Sequence, residues 1–297
     1  MTYGRKSTAE GVTDGIDLTG KTAVITGVNS GLGKESMRVL AMRGAHVIGL
    51  ARTEKKAAQA CHEVKGKTTP LACELSDLES VRDCARAIQK MDIPVDILMT
   101  NAGIMAPMTL QHALGLELQF ATNHLGHFVL INQLLEQVKA AEQGRIVILS
   151  SAAHTLTVRG GIDFDNLDAS HGYDPWRFYG QSKLANLLCA RTLAKQLEGS
   201  NVTVNAVHPG VIRTNLGRDI GGVFSRIMMA FAPLIEKTVE QGAATQCYVA
   251  TYPELADTSG VYFSDCAPGK TTRYARNDLL AQELWEKSVE LAGDYLK

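Results

Sequence analysis

Short runs of apolar and β-branched residues alternate with longer amphipathic segments along most of this chain. The apolar runs occupy residues 23–26, 46–50, 70–73, 95–100, 145–149 and 202–207. Helical periodicity covers residues 32–43, a segment that ends near 64, and residues 78–90, 114–140 and 179–197. Strands that alternate with helices of this length predict an α/β domain whose parallel sheet is covered on both faces.

Composition sets the boundaries of this domain. Residues 1–17 are polar and predict a flexible N-terminal extension, and residues 18–297 contain no linker, repeat or low-complexity segment that would separate a second domain. The chain has 297 residues, 45% of them hydrophobic and 21% charged, with a formal net charge of -1. This near-neutral balance argues against nucleic acid or an acidic membrane as the main partner.

Cysteine spacing and hydropathy indicate a cytoplasmic protein. The six cysteines form neither CxxC nor CxxH spacing, so we expect free thiols in a reducing compartment and no bound metal. The first fifteen residues lack the apolar stretch of a signal peptide. The most apolar later segment, residues 220–235, is too short and too interrupted to span a bilayer. We therefore expect no membrane anchor.

A glycine-rich turn joins the first apolar run to the first helix. Its glycines are Gly27, Gly31 and Gly33, with Asn29, Ser30 and Leu32 between them. A glycine turn between a strand and a helix presents backbone amides to a phosphate, which predicts a dinucleotide site. The alternative is a turn whose glycines serve only the backbone conformation.

The residues after the second apolar run favour one dinucleotide. An acidic side chain about twenty residues beyond the turn would bind the ribose of NAD and repel a 2′-phosphate. Ala51 has no carboxylate, whereas the guanidinium of Arg52 suits a phosphate. Glu54 complicates this pattern, and Arg52 as a solvated surface charge is the alternative. We expect NADP(H).

A tyrosine and a lysine one helical turn apart supply candidate proton chemistry. Tyr179 and Lys183 lie on the same face of a helix because four positions separate them. A free tyrosine titrates at about pH 10, and a nearby ammonium would lower that pKa. Polar residues and glycines also follow three strands: Asn101-Ala102-Gly103, Ser150-Ser151 and His208-Pro209-Gly210.

Together these motifs resemble those of the short-chain dehydrogenase/reductase family, over residues from about 17 to 285. In the family's order they are TGxxxGxG at 26–33, NAG at 101–103, a helix asparagine at 123, the serine at 151, YxxxK at 179–183 and PG at 209–210. The resemblance implies a single-domain, Rossmann-type doubly wound parallel sheet of about seven strands that binds a nicotinamide cofactor.

The resemblance also implies roles for individual residues. Tyr179 would be the general acid for carbonyl reduction and the base for alcohol oxidation, while Lys183 would lower its pKa and hold the nicotinamide ribose. Ser151 would hydrogen-bond the reacting oxygen, with Ser150 as the structural alternative. Asn123 would position a water that relays protons through Lys183. The cofactor would contact Gly27, Asn29, Ser30, Gly31, Leu32, Gly33, Arg52, Glu74, Leu75, Asn101, Ala102, Gly103, Tyr179, Lys183, Pro209, Gly210, Ile212 and Thr214.

The long stretch between Ser151 and Tyr179 narrows the resemblance to one branch. It is similar to the retinol-dehydrogenase-like branch, which includes WW-domain oxidoreductases, and this implies NADP(H) and a small apolar carbonyl or alcohol substrate. The family further implies a mobile apolar lid over the substrate at about residues 215–237. It also implies a homodimer or homotetramer formed through the helices at 114–140 and 179–197.

Two other functions stay open. A regulatory or scaffold protein could keep the fold and the cofactor with little turnover, although Tyr179, Lys183 and Ser151 are all present. A sugar-nucleotide epimerase of the extended branch would need a longer C-terminal domain and a different glycine spacing.

Overall fold

Eight strands form the central sheet of the structure, a computed structural model that describes residues 3–212 and 236–297. The strands of the chain are β1 (Thr22–Thr26), β2 (His46–Ala51), β3 (Thr68–Ala72), β4 (Ile97–Thr100), β5 (His112–Ala113), β6 (Leu116–Glu117), β7 (Gly144–Leu149), β8 (Val202–His208), β9 (Tyr262–Ser264) and β10 (Ala267–Pro268). The sheet order is β10-β9-β8-β7-β4-β1-β2-β3, while β5 and β6 form a separate hairpin. All neighbours in the sheet are parallel except β9 and β10. The predicted doubly wound sheet is therefore confirmed.

Helices cover both faces of this sheet. They are α1 (Ala9–Val12), α2 (Gly31–Met42), α3 (Glu54–His62), α4 (Leu78–Gln89), α5 (Leu118–Phe120), α6 (Gly126–Lys139), α7 (Pro175–Gln196), α8 (Val239–Gly242), α9 (Ala244–Thr251) and α10 (Asp278–Ala292). One apolar cluster packs α4, α6, α7 and α10 on one face, and a second packs α2, α3 and α9 on the other. The order of strands reverses between β1 and β4, and ligands of such sheets bind beyond the carboxyl ends of the strands at this point.

The helix predicted at 114–140 begins later than expected. Leu114 and Gly115 have φ angles of 59° and 73° and form the turn between β5 and β6. The chain then enters α5 and passes through a π-helical turn, Ala121–Leu125, before α6. Apolar periodicity did not reveal the hairpin because each of its strands has only two residues.

The helix that carries Tyr179 begins earlier than expected, at Pro175. The carboxylate of Asp174 accepts hydrogen bonds from the amides of Trp176 and Arg177 at 3.0 and 2.9 Å. An aspartate cap followed by proline is a favourable helix start, because proline lacks the amide that a first helical residue would leave unpaired.

Residues 3–17, predicted to be part of a flexible extension, carry packed structure instead. Thr8 caps α1 by accepting a hydrogen bond from the amide of Gly11 at 3.1 Å. Ala9 and Val12 are fully buried in a third apolar cluster with residues of α2 and α9. A helix of four residues is too short to give a periodic signal in the sequence.

The apolar residues of α6 and α7 are covered by the chain itself. All residues from 181 to 190 of α7 are buried, and α10 packs along this helix. Leu130 and Leu134 of α6 are buried in the same cluster, which Trp285 of α10 borders. These apolar residues of the two helices through which the family implies assembly are therefore buried within one chain.

The remaining expectations concern Thr214, the lid, membrane spans, metal sites and the cysteines. Thr214 and the expected lid up to residue 235 lie outside the described residues. In the part of the chain that is described, no helix is long and apolar enough to cross a membrane, and no cluster of three or more His, Cys, Asp or Glu side chains is arranged to hold a metal ion. The six cysteines are free and buried.

Candidate active site

The glycine turn between β1 and α2 is pinned to the end of β2. The amides of Gly27 and Val28 donate hydrogen bonds to the carbonyl oxygen of Leu50 at 2.7 and 3.1 Å. A Cβ atom at Gly33 would overlap the carbonyl oxygen of Gly27, so the first turn of α2 passes too close to the strand for any side chain. The backbone conformation of Gly27, with φ of 75°, also favours glycine.

The outer side of this turn is open. A Cβ atom at Gly31 would meet no described atom within 4 Å, and Asn29 and Ser30 are exposed, with Leu32 half-buried. Ser30 caps α2 without a side-chain hydrogen bond, whereas the caps of α3 and α4 each accept amide protons. The first amides of α2 therefore face outward without a side-chain acceptor, as phosphate binding at a helix start requires.

Thr26 and Asn101 fasten the ends of β1 and β4 to each other. The hydroxyl oxygen of Thr26 accepts hydrogen bonds from the amides of Asn101 and Ala102, each at 2.9 Å. The side-chain amide of Asn101 donates to the Thr26 carbonyl at 3.0 Å and accepts from Gln246 at 3.2 Å. The predicted segment from Asn101 to Gly103 thus lies beside the glycine turn.

The residues expected near the adenosine follow β2 and β3. Arg52 is exposed, and no hydrogen bond or ion pair joins it to another residue in the described ranges. The Glu74 carboxylate accepts hydrogen bonds from the amide and hydroxyl of Ser76 at 3.2 and 2.8 Å. Leu75 is buried, and its carbonyl lies so close to Gly126 that a side chain there would overlap it.

Tyr179, Lys183 and Ser151 meet between the end of β7 and α7. The Ser151 side chain lies beside that of Tyr179 and favours the ionised form of the phenol. Lys183 Nζ lies 5.6 Å from the centre of the Tyr179 ring and donates a hydrogen bond to the carbonyl of Leu149 at 3.3 Å. Three of the four residues predicted to be catalytic are therefore neighbours in the fold.

Burial controls the acid–base properties of this group. The Tyr179 side chain is half-buried, and the loss of water around its hydroxyl raises its pKa to about 12, which the nearby Ser151 opposes only in part. Burial also lowers the pKa of Lys183 to about 8. We expected Lys183 to lower the tyrosine pKa, but the shift is upward because desolvation of the phenolate is the largest effect.

The two serines after β7 have different partners. Ser150 is buried and its hydroxyl donates to the backbone carbonyl of Lys183 at 2.7 Å. The Ser151 oxygen accepts a hydrogen bond from the amide of Ala153 at 3.1 Å and contacts Tyr179. Ser150 therefore ties β7 to α7, while Ser151 remains the candidate for contact with substrate.

Asn123 lies in the π-helical turn and is fully buried. Its side chain accepts from the amide of Ile104 at 2.9 Å and donates to the carbonyl of Ile104 and the hydroxyl of Ser182, each at 3.0 Å. A Cβ atom at Gly103 would lie 3.0 Å from Asn123 Oδ1 and 3.4 Å from Lys183 Nζ, so these two side chains flank the same glycine. Such π-helical turns occur frequently at functional sites.

The PG turn follows β8 at the same end of the sheet. Gly210 has a φ of 94°, and Lys237 packs so closely that a Cβ atom at Gly210 would lie 2.8 Å from its side chain. Lys237 is buried and forms an ion pair with Asp265 at 2.5 Å. Pro209 precedes this glycine, and Ile212 pairs with Lys237 in an isolated parallel bridge.

Three polar residues that support the site were missed in the sequence. His127 contacts Thr26 and Asn123, Ser182 contacts Asn123, and Gln246 contacts Asn101. The available signal for His127 was its spacing one helical turn after Asn123. Gln246 gives no local signal, because 145 positions separate it from its partner.

The chain is similar to known dehydrogenases over nearly its whole length. Residues 21–163 and 167–221 match the family described as short chain dehydrogenase. The chain is 45% identical to "Short-chain dehydrogenase TIC 32 A, chloroplastic" of Brassica napus, with 97% of this chain and 94% of that protein covered. It is 40% identical to "Retinol dehydrogenase 13" of Homo sapiens, with 93% and 86% covered. A crystal structure of an uncharacterized protein from Mycobacterium paratuberculosis matches with a TM-score of 0.77 and 33% identity, covering 94% of this chain and 96% of that one.

Proposed function

Because the chain belongs to the short-chain dehydrogenase family, in its retinol-dehydrogenase-like branch, we propose that it is an NADP(H)-dependent oxidoreductase. Its substrate would be a hydrophobic carbonyl compound or the corresponding alcohol. The observation that carries this proposal is the contact of Tyr179 with Ser151 beside buried Lys183. Ser151 follows β7, whose neighbour β4 is followed by Asn101-Ala102-Gly103. On its other side β4 pairs with β1, which is followed by the glycine turn.

Each member of the site has a distinct task in this proposal. Tyr179 keeps its proton at neutral pH, because its pKa is raised to about 12, and donates that proton to the carbonyl oxygen. Ser151 hydrogen-bonds the same oxygen. Lys183 holds the nicotinamide ribose, and Asn123 positions the water through which Lys183 exchanges protons with solvent. The cofactor supplies the hydride when bound.

The residues of the glycine turn fit a dinucleotide. Gly27 and Gly33 permit the close packing of the turn, Gly31 borders open space, and the start of α2 offers amides to a pyrophosphate. Arg52 has no competing partner among the described residues, which supports its contact with the 2′-phosphate of NADP(H).

An apolar substrate is supported by side chains at the carboxyl end of the sheet. Met108, Leu156 and Val211 follow β4, β7 and β8, and they are 54%, 48% and 45% exposed. Large apolar side chains that are exposed can mark ligand or partner surfaces.

The substitution Tyr179→Phe tests the proposed chemistry. The wild-type protein should oxidise NADPH with at least one member of a panel of hydrophobic aldehydes, ketones, quinones and steroids at pH 7. The variant should keep less than about a tenth of that rate, because general acid catalysis contributes roughly 100-fold or more. Its affinity for NADPH, measured by fluorescence titration, should change little.

A matched control is Tyr173→Phe, which removes a tyrosine hydroxyl that bonds to the carbonyl of Pro107 rather than to Ser151. This control should keep most of the activity. A Tyr179→Phe protein that retains more than a tenth of the rate would reject the assignment. Binding of NADPH without turnover of any panel member by the wild type would favour the regulatory or scaffold alternative.

The cellular location is a separate part of the proposal. The six free cysteines support a reducing compartment, and we predict the cytoplasm. The similar TIC 32 A protein is named chloroplastic, so fractionation of cells that express the full chain is the direct test. Recovery of the chain in an organelle fraction would contradict the prediction.

A further inference from the structure

A buried imidazole joins the end of β1 to the π-helical turn. His127 Nε2 lies 2.9 Å from the hydroxyl oxygen of Thr26, and His127 Nδ1 lies 3.0 Å from the backbone carbonyl oxygen of Asn123. Thr26, Asn123 and His127 are no more than 2% exposed. The roles proposed above for the cofactor and the catalytic residues do not use this imidazole.

Thr26 fixes the direction of these hydrogen bonds. Its hydroxyl oxygen already accepts from the amides of Asn101 and Ala102 at 2.9 Å, which occupies both of its lone pairs. Its own proton must therefore go to His127 Nε2, so the ring carries its proton on Nδ1 and donates it to the Asn123 carbonyl. Only the neutral form of the ring fits these partners. Burial favours the same form, because it lowers the pKa of His127 to about 3.

The same hydrogen-bond chain continues to the helix that carries Tyr179. The side-chain amide of Asn123 donates to the hydroxyl of Ser182 at 3.0 Å. That hydroxyl donates in turn to the backbone carbonyl of Tyr179 at 2.8 Å. The side chains of Thr26 and His127, the backbone carbonyl and the side-chain amide of Asn123, and the hydroxyl of Ser182 thus link the strand before the glycine turn to the backbone of Tyr179.

We propose that His127 is a positioning residue that acts through Asn123 to keep α7 in register with the cofactor turn. The inference rests on the proposed function, because its effect on rate requires Tyr179 to be the acid–base group. Positioning matters at this site because a displacement of about 1 Å can cost roughly 100-fold in rate. Without His127, the Thr26 hydroxyl would still accept hydrogen bonds from the amides of Asn101 and Ala102. The glycine turn itself should therefore remain intact.

His127→Leu and His127→Gln test the role by loss and by rescue. Leucine fills the site but removes both hydrogen bonds, and kcat should fall at least tenfold while the Kd for NADPH stays within about threefold. Glutamine carries an acceptor and a donor at a spacing close to that of the two ring nitrogens. It should restore kcat to within about threefold of the wild type.

Ser288→Ala is the matched control for lost stability. It removes the hydrogen-bond partner of His124, a buried histidine that lies in the π-helical turn. His124 Nε2 is 2.8 Å from the Ser288 hydroxyl. The melting temperature should fall for both Ser288→Ala and His127→Leu, but only His127→Leu should lose kcat. An equal loss of kcat in Ser288→Ala, or no rescue by glutamine, would show that the role is merely structural.

The ring itself can be observed without turnover. Nitrogen NMR of histidine-labelled protein, assigned with the His127→Gln variant, should show a neutral ring protonated on Nδ1 from pH 8 down to about pH 5. A ring that is protonated on Nε2, or that titrates at about pH 6.5, would overturn the inference. If His127→Leu is fully active and Tyr179→Phe is inactive, the inference fails and the proposed function stands. If Tyr179→Phe is active, the proposed function fails instead.

Discussion

At the scale of single residues, the raised pKa of Tyr179 would favour carbonyl reduction over alcohol oxidation at neutral pH if Tyr179 is the acid–base group proposed above. Reduction needs the protonated phenol, and burial keeps it protonated by raising its pKa to about 12. Oxidation needs the phenolate as a base, which is scarce at pH 7. Lys183, with a pKa lowered to about 8, is still mainly charged at pH 7.

We therefore predict opposite pH profiles for the two directions. Between pH 7 and 9 the rate of alcohol oxidation should rise at least several-fold, while carbonyl reduction should stay level and then fall as Lys183 loses its proton. Initial rates with one alcohol and its matching carbonyl compound test this directly. An oxidation rate that has already reached its plateau at pH 7 would contradict the raised tyrosine pKa.

Arg52 gives a second prediction for a single side chain. A charge-assisted contact with the 2′-phosphate is worth about 1.5–3 kcal/mol, so Arg52→Ala should weaken NADPH roughly tenfold or more. The affinity for NADH should hardly change. The control is Lys65→Ala, which removes an exposed cation beyond the far end of α3. Equal losses for NADPH and NADH, or a wild-type preference for NADH, would reject the phosphate contact.

At the scale of secondary-structure elements, the sequence predicted the alternation of strands and helices but not the shortest elements. Alternating apolar and amphipathic segments predicted the strands β1, β2, β3, β4, β7 and β8 and the helices between them, because parallel strands and amphipathic helices have strong periodic signals. The hairpin at β5 and β6 and the helix α1 were missed, since elements of two to four residues have no period to detect.

The candidate site follows the same rule. The family pattern identified Asn123 as a helix asparagine, and it lies in the π-helical turn. The sequence could not show that the Ser150 hydroxyl donates a hydrogen bond to a backbone carbonyl of α7, or that His127 is hydrogen-bonded to Thr26. Both contacts depend on packing between distant segments. The spacing of Lys183 suggested a lowered pKa for Tyr179. The pKa is raised instead, because the desolvation of the tyrosine depends on the packing of the whole fold.

At the scale of the whole molecule, the packing of α10 predicts a monomer. Residues 181–190 of α7 are buried within one chain, so no apolar face of this helix segment remains for a partner. This burial favours a monomer over the dimer or tetramer that the family implies, and the oligomeric state stays a prediction. Light scattering at micromolar concentration should give a mass of 32.0 kDa. A mass of twice that value would mean that another surface mediates assembly.

The central claim is that this chain transfers a hydride between NADPH and a hydrophobic carbonyl compound. The most direct measurement uses NADPH that carries deuterium at the transferable position of the nicotinamide, with mass spectrometry of the alcohol product. The account predicts that each product molecule formed by the wild type carries one deuterium on the former carbonyl carbon, and that Tyr179→Phe forms almost none. Tight binding of NADPH without deuterium in any product would contradict the account.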